Sequence, residues 1–178
     1  WIGATGAPAA EIGFDFAYRI SPLLAKTGCA SAQCHGASTG KGGFKLSLFA
    51  ENPEADYDAI LRELDGRRVD LHNPTQSLFL RKPMRLGVRH GGGRLLDTED
   101  FAYREFRDWI ASEAPFRSGA RQTLTGIRIE RTNRQLSAIA TFEIDGRSQD
   151  RDVTPWTLWE SSAPNLVAVN ADGALPPH

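Results

Sequence analysis

The periodicity of apolar residues changes near residue 118, and this change limits what each part of the chain can fold into. Before it, prolines and N-capping residues stand ahead of short apolar runs, which is typical of short helices. After it, apolar and polar residues alternate from Leu136 to Ile144, and Asp145-Gly146 follows as a turn. We therefore predict a helical domain over residues 1–117 and a β domain over residues 118–178.

Four helices are predicted in the first domain. The first two open with an N-capping residue followed by proline, at Ser21-Pro22 and at Asn52-Pro53. A short third helix is expected over residues 75–81, and the fourth begins at Asp97 or Thr98. The fourth helix carries its apolar residues at helical spacing: Phe101, Phe106, Trp109 and Ile110.

The segment Cys29-Ala30-Ser31-Ala32-Gln33-Cys34-His35 carries the most distinctive chemistry. Two thiols followed directly by a histidine indicate a covalent c-type haem site, although the usual motif has two residues between its cysteines. Each thiol would add to a vinyl group of the haem, and His35 would be the proximal iron ligand. The two extra residues can bulge outward without displacing Cys34-His35.

The same residue types allow two other sites. A four-residue gap is compatible with a disulfide between Cys29 and Cys34. Alternatively, both thiols with His35 and His90 could form a tetrahedral zinc site. Neither requires a histidine directly after the second cysteine, and this favours haem. Because these are the only two cysteines, a disulfide framework for the whole chain is excluded.

Two residues on one predicted loop can supply a second axial ligand, Met84 and His90. Met84 can equally be a core residue after Pro83, and His90 can be a solvated loop residue. Sequence spacing permits either as ligand. The glycines at 91–93 let the backbone approach a ring edge closely, which favours His90 modestly.

A basic cluster surrounds both candidates, since no acidic residue lies between Asp70 and Asp97. Such a cluster is usually a solvated face. Beside a haem, however, Arg85, Arg89 and Arg94 would pair with the propionates or dock an acidic electron partner.

Other function classes fit the sequence less well. The formal charge is −1 and the pI is about 6.5, so the composition gives no reason to expect nucleic acid as a partner. Residues 36–40 match G-x-S-x-G of serine hydrolases, but no strand precedes Ser38 and the domain is too short for a hydrolase sheet.

Residues 29–43 and 90–93 resemble the cytochrome c-like domain of large multidomain proteins from planctomycetes and related bacteria. The resemblance covers residues 14–116. Further matching segments occur in order at residues 53–57, 66–69, 76–78 and 109–110. It implies a mono-haem c-type fold, a periplasmic or exported location and a histidine at position 90.

Residues 121–174 resemble a bacterial Ig-like domain of group 2, through Asp145-Gly146 and segments 152–154, 159–162 and 167–169 with Gly173. Such a domain would continue past Gly173, so its sheet is expected to be truncated or completed by another element.

Together these features predict a mainly α cytochrome c-like domain followed by a small, incomplete all-β Ig-like sandwich. We expect an electron carrier and not an enzyme. It would hold one haem c through Cys29 and Cys34, with His35 as proximal ligand and His90, or else Met84, as distal ligand. Its partners would be redox proteins of the cell envelope. The alternative is a non-haem interaction module whose cysteines form a disulfide or bind zinc.

Overall fold

The computed structural model describes residues 13–176. Helices come first in the chain and strands follow. The α-helices are α1 (Ser21–Lys26), α2 (Pro53–Leu61), α3 (Leu78–Met84) and α4 (Phe101–Ala111). The strands are β1 (Gln122–Thr132), β2 (Gln135–Ile144) and β3 (Arg147–Asp152). A π-helical turn, Phe16–Ile20, leads directly into α1. Within the described range, no helix combines the length and the apolarity needed to cross a membrane.

Local sequence explains where the helices begin. The Asn52 side chain accepts a hydrogen bond from the backbone N–H of Ala55 and so caps α2, with Pro53 at its first position, as predicted. Helix α4 begins at Phe101, later than expected. Asp97 instead forms a turn in which its N–H donates to the carboxylate of Asp100.

The helical part packs around Trp109 of α4, which is fully buried. Phe16 and Phe79 contact it from either side, with ring centroids 5.4 Å and 6.3 Å from the indole. Tyr57 of α2 lies against the same cluster and donates a hydrogen bond to the carbonyl of Ala114. The apolar face predicted for the fourth helix is therefore the centre of this core.

The three strands form one antiparallel sheet in the order β1-β2-β3. Register runs from Gln122 opposite Ile144 to Thr132 opposite Gln135, with a bulge near Gly126. Ala138, Ala140 and Phe142 of β2 are buried, as the period-two alternation predicted.

The sheet packs directly against the helical part. The Tyr18 ring meets Phe142 edge to face at 5.2 Å, and its hydroxyl accepts a hydrogen bond from the N–H of Leu124. Farther along, Trp156 packs on Phe101 at 4.8 Å. Aromatic contacts of Phe142 in β2 and of Trp156 after β3 thus join the sheet region to the helical part.

The fold class expected from the sequence is wrong. A mainly α cytochrome c-like domain is not formed, because the structure is 31 % helical and also contains a three-stranded antiparallel sheet. The α-helices have 6 to 11 residues, and segments 27–52 and 85–100 contain none. Nine of the 17 glycines fall in these two segments, where their conformational freedom favours turns over helix.

An Ig-like sandwich is not formed by the described residues either, since a sandwich needs two facing sheets and residues 13–176 contain one. Segment 167–169, which carries part of the Ig-like resemblance, forms no strand, and Val167 is 49 % exposed. Leu166 before it lies in a turn and is 72 % exposed.

Candidate cofactor site

The loop that carries both cysteines is closed by its own backbone. The N–H of His35 donates to the carbonyl of Cys29 at 3.0 Å, and that of Cys34 donates to Ser31 at 3.0 Å. Between them, Ala32 and Gln33 are exposed. The longer spacing between the cysteines is thus accommodated by residues that project outward, and His35 is held directly beside the start of the loop.

Gly36 allows this loop to close. A Cβ atom at this position would lie 2.1 Å from the carbonyl oxygen of Ala30. That carbonyl also accepts a hydrogen bond from Phe49, while the carbonyl of His35 accepts one from Leu46. The loop is therefore tied on both sides to the segment 46–49, and a side chain at position 36 would force them apart.

The imidazole of His35 is fixed by residue 44. Its Nδ1 lies 2.9 Å from the carbonyl oxygen of Phe44, and its ring packs on the phenyl ring at 4.6 Å. A carbonyl can only accept, so Nδ1 carries the proton and Nε2 keeps its lone pair. Burial is the largest influence and lowers the pKa of His35, while the hydrogen bond to the Phe44 carbonyl opposes it in part. The neutral form, which can bind a metal, is therefore favoured.

His90 has the same arrangement. Its Nδ1 lies 2.8 Å from the carbonyl oxygen of Gly93. Gly93 has φ +83°, a conformation that L side chains rarely adopt, and this turn brings its carbonyl back to the ring. The glycines that follow His90 thus orient the imidazole and leave its Nε2 as the unoccupied nitrogen.

The two imidazoles come together across a cavity. Their ring centroids are 6.2 Å apart and their planes are inclined by 29°. Two imidazoles on opposite sides of one metal ion, with metal–nitrogen distances of about 2.0–2.1 Å, have centroids roughly 6.3–6.5 Å apart. At a tetrahedral ion they would be about 5.2 Å apart. The separation of His35 and His90 therefore fits opposite axial positions better than a tetrahedral site.

The cavity contains about 1030 Å³ of empty space, part of it open to solvent. Cys29, His35 and His90 line it together, although they come from different segments of the chain. Its apolar walls are formed by Phe44, Leu64, Leu78, Phe79 and Pro83.

The remaining charged groups on the cavity lining are all basic: Lys41, Arg67, Arg68, Lys82 and Arg89. Of the three arginines proposed from the sequence to meet propionates, only Arg89 is among them. Arg85 ends α3 in a left-handed conformation and is exposed, and Arg94 pairs with Asp97. Lys41, Arg67 and Arg68 were visible in the sequence as charges, but nothing in it assigned them to this cavity.

Met84 and Cys34 do not line the cavity. Met84 is half-buried and packs against the helical core, as expected of a core residue after Pro83. Cys34 is also half-buried, and its thiol would have to turn toward the cavity to reach a bound ring. Cys29 accepts a hydrogen bond from the Thr27 hydroxyl, and burial raises the pKa of its thiol.

These residues fit a flat, amphipathic, anionic cofactor better than a small ion. Two opposed imidazoles, apolar walls and a basic rim match the iron, the ring and the propionates of haem. Both cysteines are free thiols, and no cluster of three or more metal-binding side chains occurs between residues 13 and 176. Of the cysteines and histidines expected to hold the haem, Cys34 is the one that does not line the cavity.

Comparison with protein-family models, curated proteins and solved structures finds no match for this chain. The functional assignment consequently depends on the site residues and on their geometry.

Proposed function

We propose that this chain is a c-type electron carrier with one haem c. Cys29 and Cys34 would hold the ring by thioether bonds, each formed by addition of S–H across a vinyl group. His35 and His90 would be its axial ligands. The observation that carries the proposal is the pair of imidazoles that line one cavity 6.2 Å apart, each with its Nδ1 hydrogen-bonded to a backbone carbonyl.

The hydrogen bonds at Nδ1 do more than orient these ligands. An imidazole that donates from one nitrogen to a carbonyl becomes a better electron donor at the other. Burial lowers the pKa of His35 and so favours the neutral imidazole, the form that binds a metal. When bound, haem would supply a one-electron couple at its iron. With both histidines as iron ligands, no coordination position would be left for substrate, and this favours electron transfer over catalysis.

The cavity walls and its basic residues would fix the remainder of the cofactor. Phe44, Leu78 and Phe79 would exclude water from the ring faces. Arg89, next to His90, and Lys82 of α3 line the cavity and would pair with the propionates. This pair replaces Arg85 and Arg94 in the proposal.

A zinc site or a disulfide has less support. The 6.2 Å separation of the imidazoles exceeds that expected at a tetrahedral zinc ion. The two cysteines are free thiols, so the disulfide form of a non-haem interaction module is not supported.

The proposed location is the periplasm or another part of the cell envelope, where covalent haem is attached and passes electrons between redox proteins. This location follows from the resemblance of residues 29–43 and 90–93 to the planctomycete domain.

The proposal is tested by a visible spectrum of protein expressed with c-type maturation, reduced with dithionite, before and after acid-acetone extraction. Sharp low-spin bands that remain with the polypeptide are expected. A colourless protein, or colour that leaves with the solvent, would contradict covalent haem. The variant Cys34→Ser provides a further check, since retention of one thioether would show that Cys29 reaches the ring by itself.

A further inference from the structure

Four exposed cations converge on the mouth of the cavity. Lys41 follows the cysteine loop, Arg67 follows α2, Lys82 lies in α3, and Arg89 lies on the loop before His90. All four line the cavity. None has an ion pair or side-chain hydrogen bond to any residue of the described chain. Four separate segments thus bring unpaired charge to one place.

The fifth cation, Arg68, has a structural role. It is buried, donates to the carbonyl of Ala59 at 2.7 Å, and stacks on the Phe44 ring at 4.5 Å. It also pairs with Glu63. Its charge is therefore used within the fold, unlike that of the four exposed side chains.

Acidic residues are absent from the described lining of this cavity, and several of them form ion pairs elsewhere. Three of these ion pairs are Glu105 with Arg19, Asp58 with Arg62, and Asp97 with Arg94. The chain carries −1 in total, so without the four exposed cations it would carry −5. Positive charge is thus concentrated at the cavity mouth of a chain that is otherwise acidic.

This distribution of charge favours a partner with a compact acidic surface over a long polyanion. A nucleic acid extends well beyond the four cations and would meet the acidic remainder of the molecule, whereas a carboxylate cluster on a folded protein would meet the cations alone. Two propionates would neutralise two of the four charges at most, and Lys82 and Arg89 are already assigned to them. Lys41 and Arg67 would still be unpaired.

We infer that the cavity mouth, with Lys41 and Arg67 at its centre, is the docking surface for an acidic redox protein. This inference rests on the proposed haem, because docking there brings the partner's carboxylates to the edge at which electrons would leave. Complementary charge would raise the association rate and make it depend on ionic strength.

The test uses the haem-loaded protein and two oxidants of opposite charge, the trianion ferricyanide and the trication tris(phenanthroline)cobalt(III). For the wild type, the salt dependence of the two rates should be opposite in sign. Raising the ionic strength from about 0.01 M to about 0.5 M should slow ferricyanide roughly tenfold and should not slow the cobalt complex. Similar salt dependence for both oxidants would overturn the inference.

Charge reversal then locates the surface. Lys41→Glu combined with Arg67→Glu should abolish the salt dependence with ferricyanide and leave the visible spectrum unchanged. The matched control is Arg121→Glu combined with Arg147→Glu, which changes the net charge equally at exposed positions of the sheet region. If the control variant loses the salt dependence to the same extent as the cavity variant, net charge explains the effect. The assignment of the cavity mouth as docking surface would then be wrong.

Competitors distinguish the class of partner. Poly-L-glutamate should slow the ferricyanide reaction at a lower concentration of charge than a double-stranded oligonucleotide does. The reverse order would favour nucleic acid and overturn the acidic protein. If the protein binds no haem, the visible spectrum shows this before any rate is measured. That result would contradict both the proposed function and the docking surface.

Discussion

His35 and His90 face each other across the cavity with their ring centroids 6.2 Å apart, although they belong to loops far apart in the sequence. Each ring is held through Nδ1 by a backbone carbonyl, that of Phe44 for His35 and that of Gly93 for His90. Because both hydrogen bonds are to backbone, the orientation of the imidazoles depends on loop conformation, and for His35 also on packing against the Phe44 ring.

The first prediction separates His90 from Met84 as the distal ligand. In haem-loaded protein, His90→Ala should allow the reduced form to bind carbon monoxide, because one axial position loses its ligand. Met84→Leu should leave the spectrum unchanged and cost less than about 1.5 kcal/mol, since Met84 packs on the core outside the cavity lining. Carbon monoxide binding to the methionine variant, but not to the histidine variant, would reverse the assignment.

The second prediction concerns Gly36. Gly36→Ala places a Cβ against the carbonyl of Ala30 and should destabilise the cysteine loop by about 1–3 kcal/mol or more. Denaturation by urea and the yield of attached haem measure this change, and both should fall together.

The matched control is Gly126→Ala, because a Cβ there meets nothing within 4 Å and the position has no left-handed φ. Its free energy of unfolding should change by no more than about 1 kcal/mol. Equal effects of the two substitutions would show that the close approach at Gly36 is not important.

The third prediction tests how the sheet is attached. Phe142 is 3 % exposed and contacts Tyr18 and Arg151. Phe142→Ala should lower the free energy of unfolding by about 3–5 kcal/mol, because it leaves a cavity between the sheet and the helical part.

Ile129→Ala is the control for this substitution. Ile129 lies on the same sheet but is 65 % exposed, so its loss should cost about 0.5 kcal/mol or less. Urea denaturation of the wild type should show a single transition. Two transitions, with only one shifted by Phe142→Ala, would mean that the sheet folds independently.

The fourth prediction concerns the buried carboxyl of Asp56. It accepts hydrogen bonds from the N–H and hydroxyl of Ser47, yet burial raises its pKa. A group whose pKa is higher in the folded state stabilises the fold below its unfolded pKa, about 3.9 for aspartate. That contribution is lost as the pH rises through the folded value.

The stability of the wild type relative to Asp56→Asn should therefore decrease as the pH rises from about 4 toward neutrality. Asparagine cannot ionise and can keep both contacts with Ser47, so it isolates the charge. Urea denaturation of the two proteins at a series of pH values measures the difference. A relative stability that increases with pH would contradict the raised pKa.

Local patterns in the sequence predicted several elements correctly. Pro53 after Asn52 starts α2, and the alternation through Phe142 forms the buried face of β2. The buried face of α4 was also visible, since Phe106 and Trp109 recur at helical spacing. These features depend on residues only a few positions apart, so they can be read without knowing the remainder of the fold.

The overall architecture could not be obtained in this way. The first domain was predicted to be mainly helical because its helix starts were clear, but they give little information on how soon each helix ends. Helix α1 has 6 residues and α3 has 7, because the left-handed backbone of Gly28 (φ +78°) follows the first and that of Arg85 (φ +56°) follows the second. Segment 167–169, which resembles part of the Ig-like domain, forms no strand in the described chain, and Val167 is 49 % exposed.

The sequence by itself determined the chemical groups of the site: two thiols near His35, a second histidine before three glycines, and a local run of basic residues with no acidic residue between Asp70 and Asp97. Tertiary structure alone decided which of them meet. It brought His90 to the cavity and left Met84 in the core, and it selected Lys41, Arg67 and Lys82 over Arg85 and Arg94. The physical reason is that these contacts join loops from distant segments, whose paths are set by long-range packing and by backbone hydrogen bonds such as that from Leu46 to His35.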